Sequence, residues 1–183
     1  MVSYPFTQAL GLAVTVIPID PFYLSWKARQ EGTEARFIEL AGEVNTSMPD
    51  DVIGRLKDAL EVQGKELKGG KILVIGLAYK PNVDDDRESP SYVLMEKLEA
   101  LGTTVDYHDS HIPIIKSTRK YSHFAGRKSV PMERESLTQY DAVLIATAHE
   151  GVDHEQLLDW VPLVVDTRKA INTNHSHEGI IRA

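Results

Sequence analysis

The sequence contains no cysteine. That removes disulfides, thiolate metal centres and thiol nucleophiles from the chemistry available to this chain alone. No apolar run approaches the length of a membrane span. The N-terminal residues lack a basic stretch, apolar core and cleavage site in succession, so no secretion signal is read there, and a cytoplasmic protein is expected. An excess of basic residues is missing too. Asp and Glu number 27 against 20 Lys and Arg, a formal charge of −7. This disfavours nonspecific binding to nucleic acid or an anionic membrane, and neither is expected as a partner. It leaves room for a local basic pocket facing a small phosphate ligand. Glycine is scarce where a dinucleotide site would need it. The loop after the first clear strand, "GLAYKPNVDDDRESP", holds Gly76 but no G-x-G-x-x-G, so this loop alone is not expected to form an NAD site.

What is present suffices for one domain and an appendage: 183 residues, 42% of them apolar. The opening stretch "GLAVTVIPIDP" suits a strand over its β-branched part, then meets two prolines that remove backbone donors. It is expected to run into a rigid turn presenting Asp20. "DPFYLSWKARQEG" reads as a helix stopped by Gly32. "TEARFIELAGEVN" reads as a second helix, with Thr33 as N-cap and Phe37, Ile38 and Val44 on its apolar face. "SMPDDVIGRLKDALEV" reads as a third, opened by Ser47 with Pro49 in its first turn. Residues 1–64 are thus a loop and helical segment, separated by "GKELKGG" from a second region, 65–183.

That second region alternates strands and helices. "KILVIGLAY" is a buried strand, and "SPSYVLMEKLEALG" a helix with Ser89 as N-cap, Pro90 at its first position and Gly102 as its stop. "TTVDYHD", "DAVLIATAH" and "LVVDTRKAI" supply three more strands, with "EQLLDW" helical between the last two. Such alternation implies a parallel α/β sheet flanked by helices, with ligands beyond the carboxyl ends of its strands. The first such loop offers an aromatic ring and a cation at Tyr79 and Lys80, then a guanidinium at Arg87. Ring and cations suit a nucleoside diphosphate. By spacing alone the solvated loop, in which Arg87 pairs with Asp84 to Asp86, is the favoured reading, since loop charges usually have no site role. His108, His111, His149, His154, His175 and His177 are read as surface residues, with no metal site, and Trp26 and Trp160 as packing residues.

The motifs "GLAYKPNVDDDRESPS", "YHDSHIP", "YDAVLIATAH" and "VVDTRKA", with "IPIDPFYLSWKARQEGTEARFIELAGEVNTSMP" upstream, resemble the UDP-glucose/GDP-mannose dehydrogenase family. The resemblance covers nearly the whole chain and is greatest to the UDP-N-acetylglucosamine and UDP-N-acetylmannosamine 6-dehydrogenases. It implies a Rossmann-like UDP-binding domain preceded by an all-helical dimerisation segment. It also implies that Tyr79, Lys80 and Arg168 contact the UDP-sugar, that Arg87 reaches NAD held by another domain, and that Asp20 assists a catalytic cysteine. In the family that cysteine lies in G-L-G-G-H-C-I-P; the corresponding "GLAVTVIP" places Val16 at its position and Ala13 and Val14 at the glycines. The family's N-terminal NAD domain has no counterpart in this sequence. The expectation is therefore a dimerising C-terminal part of an NAD-dependent nucleotide-sugar 6-dehydrogenase. It binds UDP or a UDP-sugar, binds no cofactor alone and has no dehydrogenase activity by itself. The alternatives are a subunit completing a two-chain dehydrogenase, or a noncatalytic structural or regulatory dimer module.

Overall fold

The computed structural model of the protein describes residues 20–172 and 179–183. Five parallel strands form one sheet in the order β2-β1-β3-β4-β5. They are β1 (Lys71–Ile75), β2 (Thr104–His108), β3 (Ala142–Ile145), β4 (Val164–Asp166) and β5 (Ile180–Arg182). Two long helices, α1 (Asp20–Gln30) and α2 (Arg36–Val62), precede the sheet. Helix α3 (Pro90–Ala100) links β1 to β2, while the short α4 (Arg134–Leu137) and α5 (Leu157–Trp160) precede β3 and β4.

Strand residues alternate between two buried layers, as a period of two requires. Ile72, Val74, Val105, Tyr107 and Leu144 face α2 and α3, burying Leu56, Leu60, Leu94 and Leu98. Leu73, Ile75, Val143, Ile145 and Val164 face the other way, against Leu137, Tyr140 and Leu157. Covering both faces is what lets such short strands be almost wholly apolar. The chain leaves β1 toward β2 on one side and returns to place β3 on the other. This reversal puts the topological switch point between β1 and β3, the usual place of a ligand crevice in sheets of this kind.

Helix α3 forms as its local sequence dictates. Ser89 caps it, accepting from Ser91 N at 3.2 Å, Pro90 occupies its first position, and Gly102 takes a positive φ of 82° beyond its end. The helical segment departs from expectation. The second and third helices are one continuous α2, and its N-cap is Ala35 rather than Thr33. Ser47 does not start a helix. Its hydroxyl and that of Thr46 turn back to the carbonyls of Val44 and Gly42, so neither is aimed at a downstream N–H as a cap would be. Pro49 sits inside the helix, buried. From Pro49 onward α2 packs on the domain through Val52, Ile53, Leu56 and Leu60, whereas no residue before Pro49 in α2 is buried.

That first half carries α1. A Cβ on Gly42 would lie 2.1 Å from Phe22 Cζ, so glycine is what admits the ring of α1. Glu39 ties the helices, accepting from Ser25 Oγ at 2.7 Å and pairing with Arg29 at 2.8 Å. Asp20 is the exposed first residue of α1, not part of a rigid turn. The expected strand over "AVTVI" and Val16 lie outside the described residues. Trp26 is 52% exposed and so not a core residue, whereas Trp160 packs partly buried on the second layer. β5 was not expected. It is a three-residue strand pairing in parallel with β4.

Candidate functional site

The strand register sets the site. Ile75 pairs with His108 on one side and Ile145 on the other, and Ile145 pairs with Asp166. The loops after β1, β2, β3 and β4 therefore leave the sheet at one level. Gly76, first in the β1 loop, has φ +87°, and a Cβ there would lie 2.1 Å from Thr147 O. The space beside it is filled by the β3 loop, so this glycine serves packing between loops and does not offer its backbone to a dinucleotide as a G-x-G-x-x-G turn would. The loop after β1 therefore does not fit NAD by itself.

Two buried carboxylates at strand ends organise the edge. Asp109, just after β2, accepts from Leu77 N at 2.7 Å and Ala78 N at 2.9 Å through Oδ2, and from His111 N at 2.7 Å and Ile112 N at 3.0 Å through Oδ1. His149 Nε2 lies 3.0 Å from Asp109 Oδ2, with both side chains wholly buried. Burial pushes the Asp109 carboxyl up, but hydrogen bonds from His149 and the N–H groups of Ala78 and His111 outweigh it and hold it down at about 2. Asp166, ending β4, accepts from Arg168 N, Ala170 N and Ile171 N and pairs with Arg182 Nη1 of β5 at 2.7 Å.

Between these anchors stand the expected binding residues. Tyr79 is half-buried and Lys80 exposed, its ammonium 5.2 Å from the Tyr79 ring centroid. Arg168 donates through Nε to Ala146 O at the end of β3. The next residue, Thr147, donates from Oγ1 to Ala78 O at 2.8 Å, beside Tyr79. Arg168 and the Tyr79–Lys80 pair are thus brought to either side of the same strand end. Arg168 is partly buried, and burial lowers the pKa of its guanidinium. Among the described residues neither Arg168 nor Lys80 has a carboxylate within ion-pair distance. Arg87 differs. It is 82% exposed and engages Asp85 through Nε at 2.9 Å and Nη2 at 2.6 Å, the pairing foreseen for a solvated loop. Asp20, on α1, belongs to another part of the fold.

The non-glycine residues with left-handed backbone among those described are Asn82, Glu88 and Lys169, all in these two loops. Such conformations gather where surrounding structure holds a loop to a set shape. The histidine reading needs correction. His108, His149 and His154 are buried, because the strand-end loops close over them, while His111 is exposed. His175 and His177 lie outside the described residues. No group of three or more His, Asp or Glu residues among those described could hold a metal ion, and no helix among them is long and apolar enough to cross a membrane. The Asp109–His149 pair went unread in the sequence. Its signal was available, in an aspartate and a histidine that each follow a strand of one parallel sheet.

Comparison with known proteins gives a consistent picture. The family model for the UDP-glucose/GDP-mannose dehydrogenase family, UDP binding domain, matches residues 73–173. A UDP-N-acetyl-D-mannosamine dehydrogenase of Campylobacter jejuni is 36% identical over 88 residues, covering 48% of this chain and 20% of its own length. The UDP-glucose 6-dehydrogenase AglM of Haloferax volcanii is 28% identical over 138 residues, 75% of this chain and 30% of its own. The solved UDP-D-ManNAc dehydrogenase of Pyrococcus horikoshii shares the fold, with a TM-score of 0.75 at 24% identity, over 94% of this chain and 38% of that one. This chain spans between 20% and 34% of the length of the first curated relatives it matches.

Proposed function

Because the chain belongs to the UDP-glucose/GDP-mannose dehydrogenase family through its UDP binding domain, we propose that it binds the diphosphate of a UDP-sugar in the crevice between β1 and β3. The observation carrying this reading is Arg168, a partly buried guanidinium with no carboxylate partner among the described residues, across one strand end from Lys80. Burying an unpaired cation is costly, and a bound phosphate would relieve that cost with charge-assisted hydrogen bonds. The Tyr79 ring would face the ribose or base. A UDP-N-acetylhexosamine is the favoured ligand, by likeness to relatives named for such substrates. Arg87 would turn from Asp85 toward a cofactor only if another domain or chain presented one.

The role assigned to this chain by itself is binding and not oxidation. With no cysteine in its sequence it has no thiol to capture an aldehyde. The division at residue 64 is part of the same proposal. The preceding helices, with Phe37 84% exposed and Leu40 and Val44 more than half exposed on α2, would join two copies of the chain. Titration calorimetry with UDP and UDP-N-acetylglucosamine tests the binding. Lys80→Ala and Arg168→Ala should each weaken it by about tenfold, the worth of a charged hydrogen bond. Absence of binding by the parent chain at millimolar ligand refutes the proposal.

A further inference from the structure

His149 is buried between two backbone segments, and its two nitrogens have different partners. Nδ1 accepts from the Asn82 N–H at 3.0 Å. Nitrogen can accept there only when it carries no proton. The remaining proton of the neutral ring therefore sits on Nε2, where it is donated to Asp109 Oδ2 at 3.0 Å. A single tautomer satisfies both contacts. Asp109 in turn holds Leu77 N and Ala78 N, while Asn82 Oδ1 accepts from Glu150 N at 3.1 Å. Residues 77–78 and 82 are thus fixed from below by one hydrogen-bonded unit, with Tyr79 and Lys80 in the span between. Neither Asp109 nor His149, both wholly buried in their side chains, can reach a ligand in the crevice.

We propose that the Asp109–His149 pair is a positioning latch that fixes the Tyr79–Asn82 segment in the shape that binds the diphosphate. This rests on the binding site proposed above and adds residues that act through it without touching the ligand. A buried pair placed only for stability would give the same nucleotide affinity in any variant that still folds. A latch links the imidazole's acceptor atom to Lys80 through the Asn82 amide, and that link can be cut one bond at a time.

The test compares His149→Asn, His149→Gln and His149→Ala in the full chain, well below their melting temperatures. The readouts are UDP affinity and the hydrogen-exchange protection of the Asn82 amide. Asparagine places a carbonyl near the Nδ1 position, so it can still accept from Asn82 N; glutamine reaches toward Asp109 but leaves Asn82 without its acceptor. The expected result is that alanine and glutamine lower Asn82 protection and weaken UDP binding at least about fivefold, the cost of one unmade buried hydrogen bond, while asparagine recovers a substantial part of both. Three equally destabilised variants that bind UDP within twofold of the parent overturn the proposal. So does an Asn82 amide whose protection is unchanged in His149→Ala. A parent chain with a protected Asn82 amide but no affinity for UDP refutes the proposed function instead. In that case the amide series still decides whether the imidazole holds the segment, and a latch with no ligand to position is rejected as stated.

Discussion

Gly76→Ala should be among the most damaging single-methyl additions in the protein. Two separate costs meet there. The residue has φ +87°, and leaving glycine in that region costs about 1–2 kcal/mol. The new Cβ would lie 2.1 Å from Thr147 O and 2.5 Å from Thr147 Cβ, well inside contact distance. Overpacking of this kind costs about 1–3 kcal/mol more, and the obstacle is partly backbone that no rotamer change can clear. The expected loss is therefore about 2–5 kcal/mol. Gly126→Ala is the matched control: its φ is +84°, but nothing lies within 4 Å of the added methyl, so only the conformational cost remains. Urea unfolding of parent and both variants, with unchanged m-values, measures the difference directly. If Gly76→Ala costs no more than Gly126→Ala, the β1 and β3 loops do not approach as closely as described.

Four further outcomes are expected. Asp109 has a folded pKa of about 2, below its ordinary value of 3.8, so its stabilisation is full above the unfolded value and is lost as pH falls through about 2; it amounts to about 2 kcal/mol. Unfolding free energies between pH 5 and 2 should therefore fall more steeply in the parent than in Asp109→Asn, and equal slopes would contradict this. Leu56→Ala, at a fully buried position of α2, should cost about 2–5 kcal/mol in the same urea assay, and a loss under 1 kcal/mol would place Leu56 outside the core. Ser89→Ala should cost about 1 kcal/mol by removing the α3 cap, with no change in the m-value. Phe37→Glu should shift sedimentation toward the monomer without lowering the melting temperature of the α/β domain, whereas a parent that is monomeric at every concentration rejects the paired-helix proposal.

How much of this the sequence disclosed depends on how local each cause is. Helix α3 was legible because its cap, first-turn proline and terminal glycine act within one or two turns of themselves. The parallel sheet was legible from alternation, and with it the placing of Tyr79, Lys80 and Arg168 on strand-end loops. Strand β5 was not, because Ile180–Arg182 carries no strand pattern long enough to stand out and owes its form to pairing with β4. Helix α2 was misread as two helices because Ser47 and Pro49 mimic a start, whereas the helix runs through them without a break. The buried histidines were missed for a third reason. His149 is covered only because loops 67 and 40 residues away in sequence converge on it, at Asn82 and Asp109.

The 27 residues of α2 make a rod about 40 Å long, and only the part beyond Pro49 is seated on the sheet. The nearer part works like a mast, with its oily tip carried clear of the floor on which the strands end. Crowding, docking or trimming at the tip should then leave the strand-end loops unstrained, and changes made at the two ends should combine by simple addition. Such a layout allows one end to be refitted for a new companion while the other keeps its grip.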